Sequence, residues 1–234
     1  MALTEKSRRN LYGINALSAW LGFGLSFIIE LFYLEPYVSP SASLYGGHSA
    51  GWSGAFNRIV DLLSYFTIWS QIVVGIVMTL LFLNPARDGK IFRIFRIDSV
   101  LMITVTGIVY NLLIGPNFPP QGLNVYSSFL EHTLTPLLTV LVFVVAGPRG
   151  WFTRKTVLAG LYLPIAYIFY ALIRGAIIHQ YPYDFMDVVT YGYKSVIITV
   201  LVILVAALIF LVGFWALDVR LNRSSRPLDT SSVA

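Results

Sequence analysis

Six separate stretches of this chain are apolar for about the length that crosses a bilayer, which narrows the fold more than any motif does. They run roughly over 12–33, 60–83, 97–114, 127–146, 156–173 and 195–217. A helix needs about 20 mostly apolar residues to span the hydrocarbon core. Composition agrees: 12% of the 234 residues are charged, against roughly 25% in soluble domains. Backbone polar groups in lipid must find partners inside their own span, so the spans are helices or a closed barrel. A barrel strand alternates polar and apolar residues with period two. These stretches are apolar all round. The expectation is an all-α integral membrane bundle of six transmembrane helices. It forms one domain over 1–220, followed by a polar, disordered tail over 221–234.

Basic residues predict the orientation. Lys6, Arg8 and Arg9 precede the first span, and Arg87, Lys90, Arg93 and Arg96 separate the second from the third. Arg149, Arg154 and Lys155 separate the fourth from the fifth, and Arg220, Arg223 and Arg226 follow the sixth. Thirteen of the 16 basic residues thus fall on one side, leaving Arg58, Arg174 and Lys194 on the other. The positive-inside rule puts both termini in the cytoplasm, as an even number of crossings requires. The expected location is the plasma (inner) membrane, multi-pass. The first span is too long for a cleavable leader and reads as a retained anchor.

The net charge of +5 is spread over four loops. It is what insertion and anionic head groups select, not a nucleic-acid footprint. There is no cysteine, so disulfides and thiolate chemistry are excluded. His48, His132 and His179 are far apart and carry no metal-ligand spacing. No phosphate loop or dinucleotide fingerprint occurs. No cofactor is expected, and the expected partners are membrane lipids and a lipid-like ester, with no nucleic acid. Oligomeric state is not encoded legibly.

Four spans carry polar stripes at helical spacing. Ser64, Thr67 and Gln71 share one; His132, Thr135 and Thr139 another; Thr104, Gly107 and Asn111 a third; Tyr167, Tyr170 and Arg174 the fourth. At 1.5 Å per residue, Thr67 lies about 12 Å below the start of its span, His132 about 8 Å, and Asn111 about 5 Å from the end of its own. All fall in the outer half. A hydroxyl and an imidazole at similar depth are the parts of a nucleophile and its base. Oxyanion donors would come from Gln71, Asn111, Arg174, Ser64 or a tyrosine such as Tyr170. Glu131 lies about 100° round the helix from His132, facing either the imidazole's surroundings or the head groups. Duller roles compete: threonines bond back to their own helix, Asn111 ties helices together, Arg174 snorkels, and the tyrosines of "HQYPYDF" form an interfacial belt.

The segments "SYFTIWSQIVVG", "TVTGIVYNLL", "LEHTLTPLL" and "LYLPIAYIFYALIRGAIIHQYPYDF" together resemble the androgen-induced gene one–like family of six-span membrane proteins, in particular its bacterial branch. The resemblance covers about residues 60–195. Animal members are threonine hydrolases of branched fatty acid esters. The resemblance therefore implies a catalytic threonine, Thr67 in "YFTIWSQ", and a catalytic histidine, His132 in "EHTLTP". The residues after Thr67 depart from the animal pattern, and the lipid substrate does not carry over.

The resulting expectation is an intramembrane lipid-ester hydrolase with a Thr67 nucleophile and a His132 base, fed from the outer leaflet. The alternative is a lipid- or amphiphile-binding protein without chemistry: a sensor, carrier or assembly partner. A proton-coupled transporter using Glu131, His132 and Arg174 is a third. It would need a path to the cytoplasm, yet few ionisable groups fall in the inner halves of the spans, and Glu30 and Asp61 both fall near the outer side.

Overall fold

The computed structural model describes residues 3–36 and 39–224. Among them the chain is helical without a β-strand: α1 is Glu5–Phe32, α2 Trp52–Leu62 and α3 Phe66–Leu83. Helix α4, Lys90–Val109, is prolonged by a π-helical turn over Tyr110–Ile114. Helix α5, Asn124–Phe129, runs through a second π-turn, Leu130–Leu134, into α6, Thr135–Ala146. Then come α7, Arg154–Ala159, α8, Tyr162–Ile178, and α9, Val188–Ser224, which is kinked at Gly192. Six of these helical rods are long and apolar enough to cross a membrane.

Small residues on α1 set the first layer. Ala16, Ala19, Gly22 and Ser26 are buried on it, and Ala16 and Ala19 join Val74, Val77 and Met78 of α3 in one core cluster. Close approach through small residues is how membrane helices pack where lipid and side chains are equally apolar. Gly75 shows the constraint: a methyl there would meet the Trp20 ring at 2.7 Å. Helix α4 is central, with 61% of its most apolar window buried against 17% for α9. Helix α9 presents Ile197, Val202, Val205 and Ile209 outward, as a lipid-facing rod does.

The second span differs from the sequence reading. Residues 60–83 read as one continuous helix, but α2 ends at Leu62 and α3 begins at Phe66. Tyr65 is extended, with φ −85° and ψ 139°. The break is tolerated because remote side chains take the stranded carbonyls. Trp69 donates its indole N–H to Leu63 O at 2.9 Å, and Tyr167 donates its hydroxyl to Ser64 O at 3.0 Å. An unsatisfied carbonyl in lipid costs several kcal/mol, so these two bonds permit the geometry. Most of α2 lies before residue 60, in the connection between the first two expected spans. The remaining spans are longer than their apolar cores indicated, and α9 continues to Ser224 instead of ending before 221. The rest of the expected tail, 225–234, lies outside the described residues.

The two loops at the end of the bundle nearest Thr67 are joined. Tyr181 N–H donates to Ser43 O at 2.8 Å, and Tyr45 N–H donates to Tyr181 O at 3.1 Å. Asp187 caps α9 by accepting from the N–H groups of Val189 and Thr190, and it also accepts from the Ser43 hydroxyl at 2.6 Å. Burial alone would raise the Asp187 carboxyl. The Ser43 and Thr190 hydroxyls and the two N–H groups outweigh it and hold the group below its ordinary value. A depressed carboxylate contributes stability that is complete above the unfolded value, about 3.9, and is lost as the pH falls through the folded one. The thermal stability of the wild type is therefore expected to drop more on acidification below about pH 4 than that of Asp187→Asn. Parallel pH curves for the two proteins would contradict this.

Candidate functional site

Thr67 is the second residue of α3, and the break before it decides its chemistry. The first N–H groups of a helix have no intrahelical acceptor. Ile68 and Trp69 both donate to Tyr65 O, whereas Thr67 N–H turns to the Tyr183 hydroxyl at 3.4 Å. Thr67 is 9% exposed, and its Oγ1 lies 3.3 Å from Nε2 of His132. The two residues singled out in the sequence therefore meet, across 65 positions of chain.

His132 sits in the π-turn that links α5 to α6. Such turns are rare and concentrate at functional sites. Its origin is readable. Pro136 lies four residues on, has no N–H, and so leaves the His132 carbonyl without its helical donor. Asn111 supplies one: its Nδ2 donates to His132 O at 2.9 Å and to Gly107 O at 2.8 Å. Gly107 lets this happen, because a methyl there would press on Pro136 at 3.0 Å.

The imidazole is held on three sides. Nδ1 lies 3.1 Å from Ser128 O and 3.1 Å from Ser128 Oγ. A carbonyl only accepts, so Nδ1 carries the hydrogen and Nε2 presents a lone pair to the Thr67 hydroxyl. The Tyr110 ring stacks on the imidazole, with centroids 3.5 Å apart and planes 12° off parallel. The Ser128 hydroxyl donates to Tyr110 Oη at 2.8 Å, fixing that ring. If Nε2 takes a proton, the new imidazolium keeps a carbonyl acceptor on Nδ1 and a π-face above it. Among the described residues no carboxylate touches it.

The other expected site residues lie elsewhere. Glu131 points away from His132 and accepts from Ser26 Oγ at 2.7 Å, buried between α1 and the π-turn. Gln71 is fully buried and gives its amide N–H to Glu131 O at 3.1 Å. Ser64 lies on the break between helices, where its hydroxyl pairs with Tyr170 Oη at 2.7 Å and Val60 O at 2.6 Å. Arg174 does not snorkel; its Nη2 pairs with Asp61 Oδ1 at 2.5 Å, and Asp61 Oδ2 lies 2.6 Å from His48 Nε2. None of these six groups, Asn111 included, lines the cavity that Thr67 faces. Their polar atoms hold helices together instead of meeting a reacting carbonyl.

That cavity is apolar, partly open, and encloses about 680 Å³ including its mouth. Its walls come from α3, α4, α8, α9 and the loop before α9, with Thr67 and Tyr183 together on them. Tyr183 was expected in an interfacial belt. It is partly buried, packed face to face with Phe185 at 5.1 Å between centroids. Burial pushes its phenol up to about 12, so its hydroxyl keeps its hydrogen across the physiological range. Tyr183, Tyr110 and Ser128 are the site residues that the sequence reading missed. Only Tyr183 had a sequence signal, the tyrosine-rich "YPYDF" in an otherwise loop-like segment.

No protein-family model, curated protein or solved structure matches the chain. The chemical reading therefore rests on the residues themselves and on the motif resemblance.

Proposed function

We propose that the protein is an intramembrane hydrolase of lipid esters, with Thr67 as nucleophile and His132 as general base. The observation that carries this is the 3.3 Å contact between Thr67 Oγ1 and a His132 Nε2 whose tautomer is fixed by Ser128 O. His132 takes the Thr67 proton as Oγ1 attacks the ester carbonyl. Charge develops on the carbonyl oxygen. The Thr67 N–H and the Tyr183 hydroxyl, which now face each other, are the donors able to receive it. The tetrahedral species collapses, the alcohol leaves with the proton from His132, and an acyl-threonine remains. Water gives a proton to His132 and attacks the acyl carbon; the second tetrahedral species collapses, His132 returns that proton to Thr67 Oγ1, and the acid is released.

The basic residues at the opposite end support cytoplasmic termini under the positive-inside rule, and hence an ester drawn from the outer leaflet. The motif resemblance points the same way. The apolar cavity also favours a second reading, lipid binding without chemistry, in which Thr67 and His132 are only hydrogen-bonded walls. Turnover of fatty acyl esters by purified protein, with none by a folded Thr67→Ala variant, is the result expected of the hydrolase. Undiminished turnover by that variant contradicts it.

A further inference from the structure

We infer that the cavity beside Thr67 is a blind channel that measures the acyl chain of the substrate, with Ala207 at its floor. The inference rests on the hydrolase reading and adds an orientation and a length limit to it. Helix α9 supplies Val200, Ile203, Leu204 and Ala207 to the wall, at the 3-4-7 spacing of one helix face. Helix α4 faces them with residues from Val105 to Ile114. At 1.5 Å per residue the lined length is about 10 Å along α9 and about 13 Å along α4. Below Ala207 and Val105 the space closes. Both join the fully buried Leu101 and Leu211 and the buried Phe143 in one packed cluster.

The reactive groups stand above this floor, level with Tyr110, whose ring stacks on His132 five residues beyond Val105, about 8 Å along α4. Thr67 is in the first turn of α3, beside Tyr183, and the chain must enter with its carbonyl there. Of the other hydroxyls on the wall, Thr106 is committed to Ser70 Oγ at 2.9 Å, Tyr110 to Ser128 and Tyr167 to Ser64 O at 3.0 Å. The deep part therefore offers no free polar partner and suits a saturated hydrocarbon. About 8 Å below Thr67 is far less than a ~30 Å hydrocarbon core, so a short to medium acyl chain fits and a long one does not.

The test is the kcat/KM of p-nitrophenyl esters from butyrate to palmitate for the wild type, Ala207→Leu and Ile203→Phe. The wild type is expected to peak between hexanoate and decanoate. Ala207→Leu is expected to lower the decanoate-to-butyrate ratio at least tenfold, since a single methylene in an apolar pocket discriminates by roughly 10–200-fold. Ile203→Phe, about one turn nearer Thr67, must shorten the optimum further. Unchanged ratios in both variants would overturn the channel, as would a wild-type preference for palmitate. A separate readout keeps the channel apart from the chemistry: heat stabilisation of Thr67→Ala by decanoic acid, reduced in Thr67→Ala/Ala207→Leu. If no ester is hydrolysed, the hydrolase reading falls while this binding difference still upholds the channel. An equal effect of decanoic acid on both proteins overturns the channel even if esters are cleaved.

Discussion

Replacing His132 with Ala is expected to abolish ester turnover as completely as replacing Thr67, and the double variant is expected to be no worse than either. A positioned general base contributes roughly 10²–10⁴ in rate. Threonine without one is a poor nucleophile. Residues that act as a unit are far from additive, so the second substitution has little left to remove. The geometry makes this sharper than for a surface pair. Among the described residues Nε2 has one hydrogen-bonding neighbour, Thr67 Oγ1, and Nδ1 is committed to Ser128. The measurement is kcat/KM for a medium-chain ester in the wild type, both single variants and the double variant, with melting temperatures recorded alongside. Multiplicative losses would mean that the two side chains act separately and that the contact is structural.

The second large effect is on stability. Asp61→Ala is expected to destabilise the fold by about 3 kcal/mol, on the order of a 10 °C fall in melting temperature. Asp61 on α2 accepts from Arg174 on α8, contacts His48, and takes the Gly46 N–H at 3.3 Å. Its side chain is 8% exposed and that of Arg174 is 16%. Removing the carboxylate strands a guanidinium whose remaining neighbour is the Tyr45 ring, 4.4 Å away. Breaking one side of a buried ion pair typically costs about 3–5 kcal/mol, and the partial exposure of Arg174 argues for the lower end. Replacing both charges with apolar groups is often near neutral. Asp61→Ala/Arg174→Met should therefore recover much of the loss. An unchanged melting temperature in Asp61→Ala would show that the pair does not hold α8 to α2. The effect reaches the site, because α8 carries Tyr167, whose hydroxyl bonds Ser64 O at the break before Thr67.

The bundle was legible because lipid leaves few choices: a run of apolar residues of bilayer length becomes a helix whatever its neighbours. Thr67 and His132 were legible for the related reason that lipid penalises polar groups, so those kept within spans stand out. The break at 63–65 was not. Its stretch is apolar and lacks proline and glycine, and the side chain that stabilises it most remotely, Tyr167, lies about a hundred residues away. The oxyanion candidates were misread for the same cause. Gln71, Asn111 and Arg174 have suitable donors, but which carbonyl or carboxylate consumes them depends on helix packing. One of these outcomes did have a local signal. Pro136 four residues after His132 strips that carbonyl of its donor, and an amide on a neighbouring span is the natural replacement. Asn111 fills that role.

The most direct test of the central claim is covalent. Detergent-purified wild type, Thr67→Ala and His132→Ala are treated with a fluorophosphonate probe, and the modified residue is mapped by mass spectrometry. An activated threonine predicts a single adduct on Thr67, lost in both variants although all three proteins melt alike. Equally stable proteins that take up no probe, or a wild type labelled elsewhere, would contradict the nucleophile assignment. The pair would then be part of a lipid-binding wall.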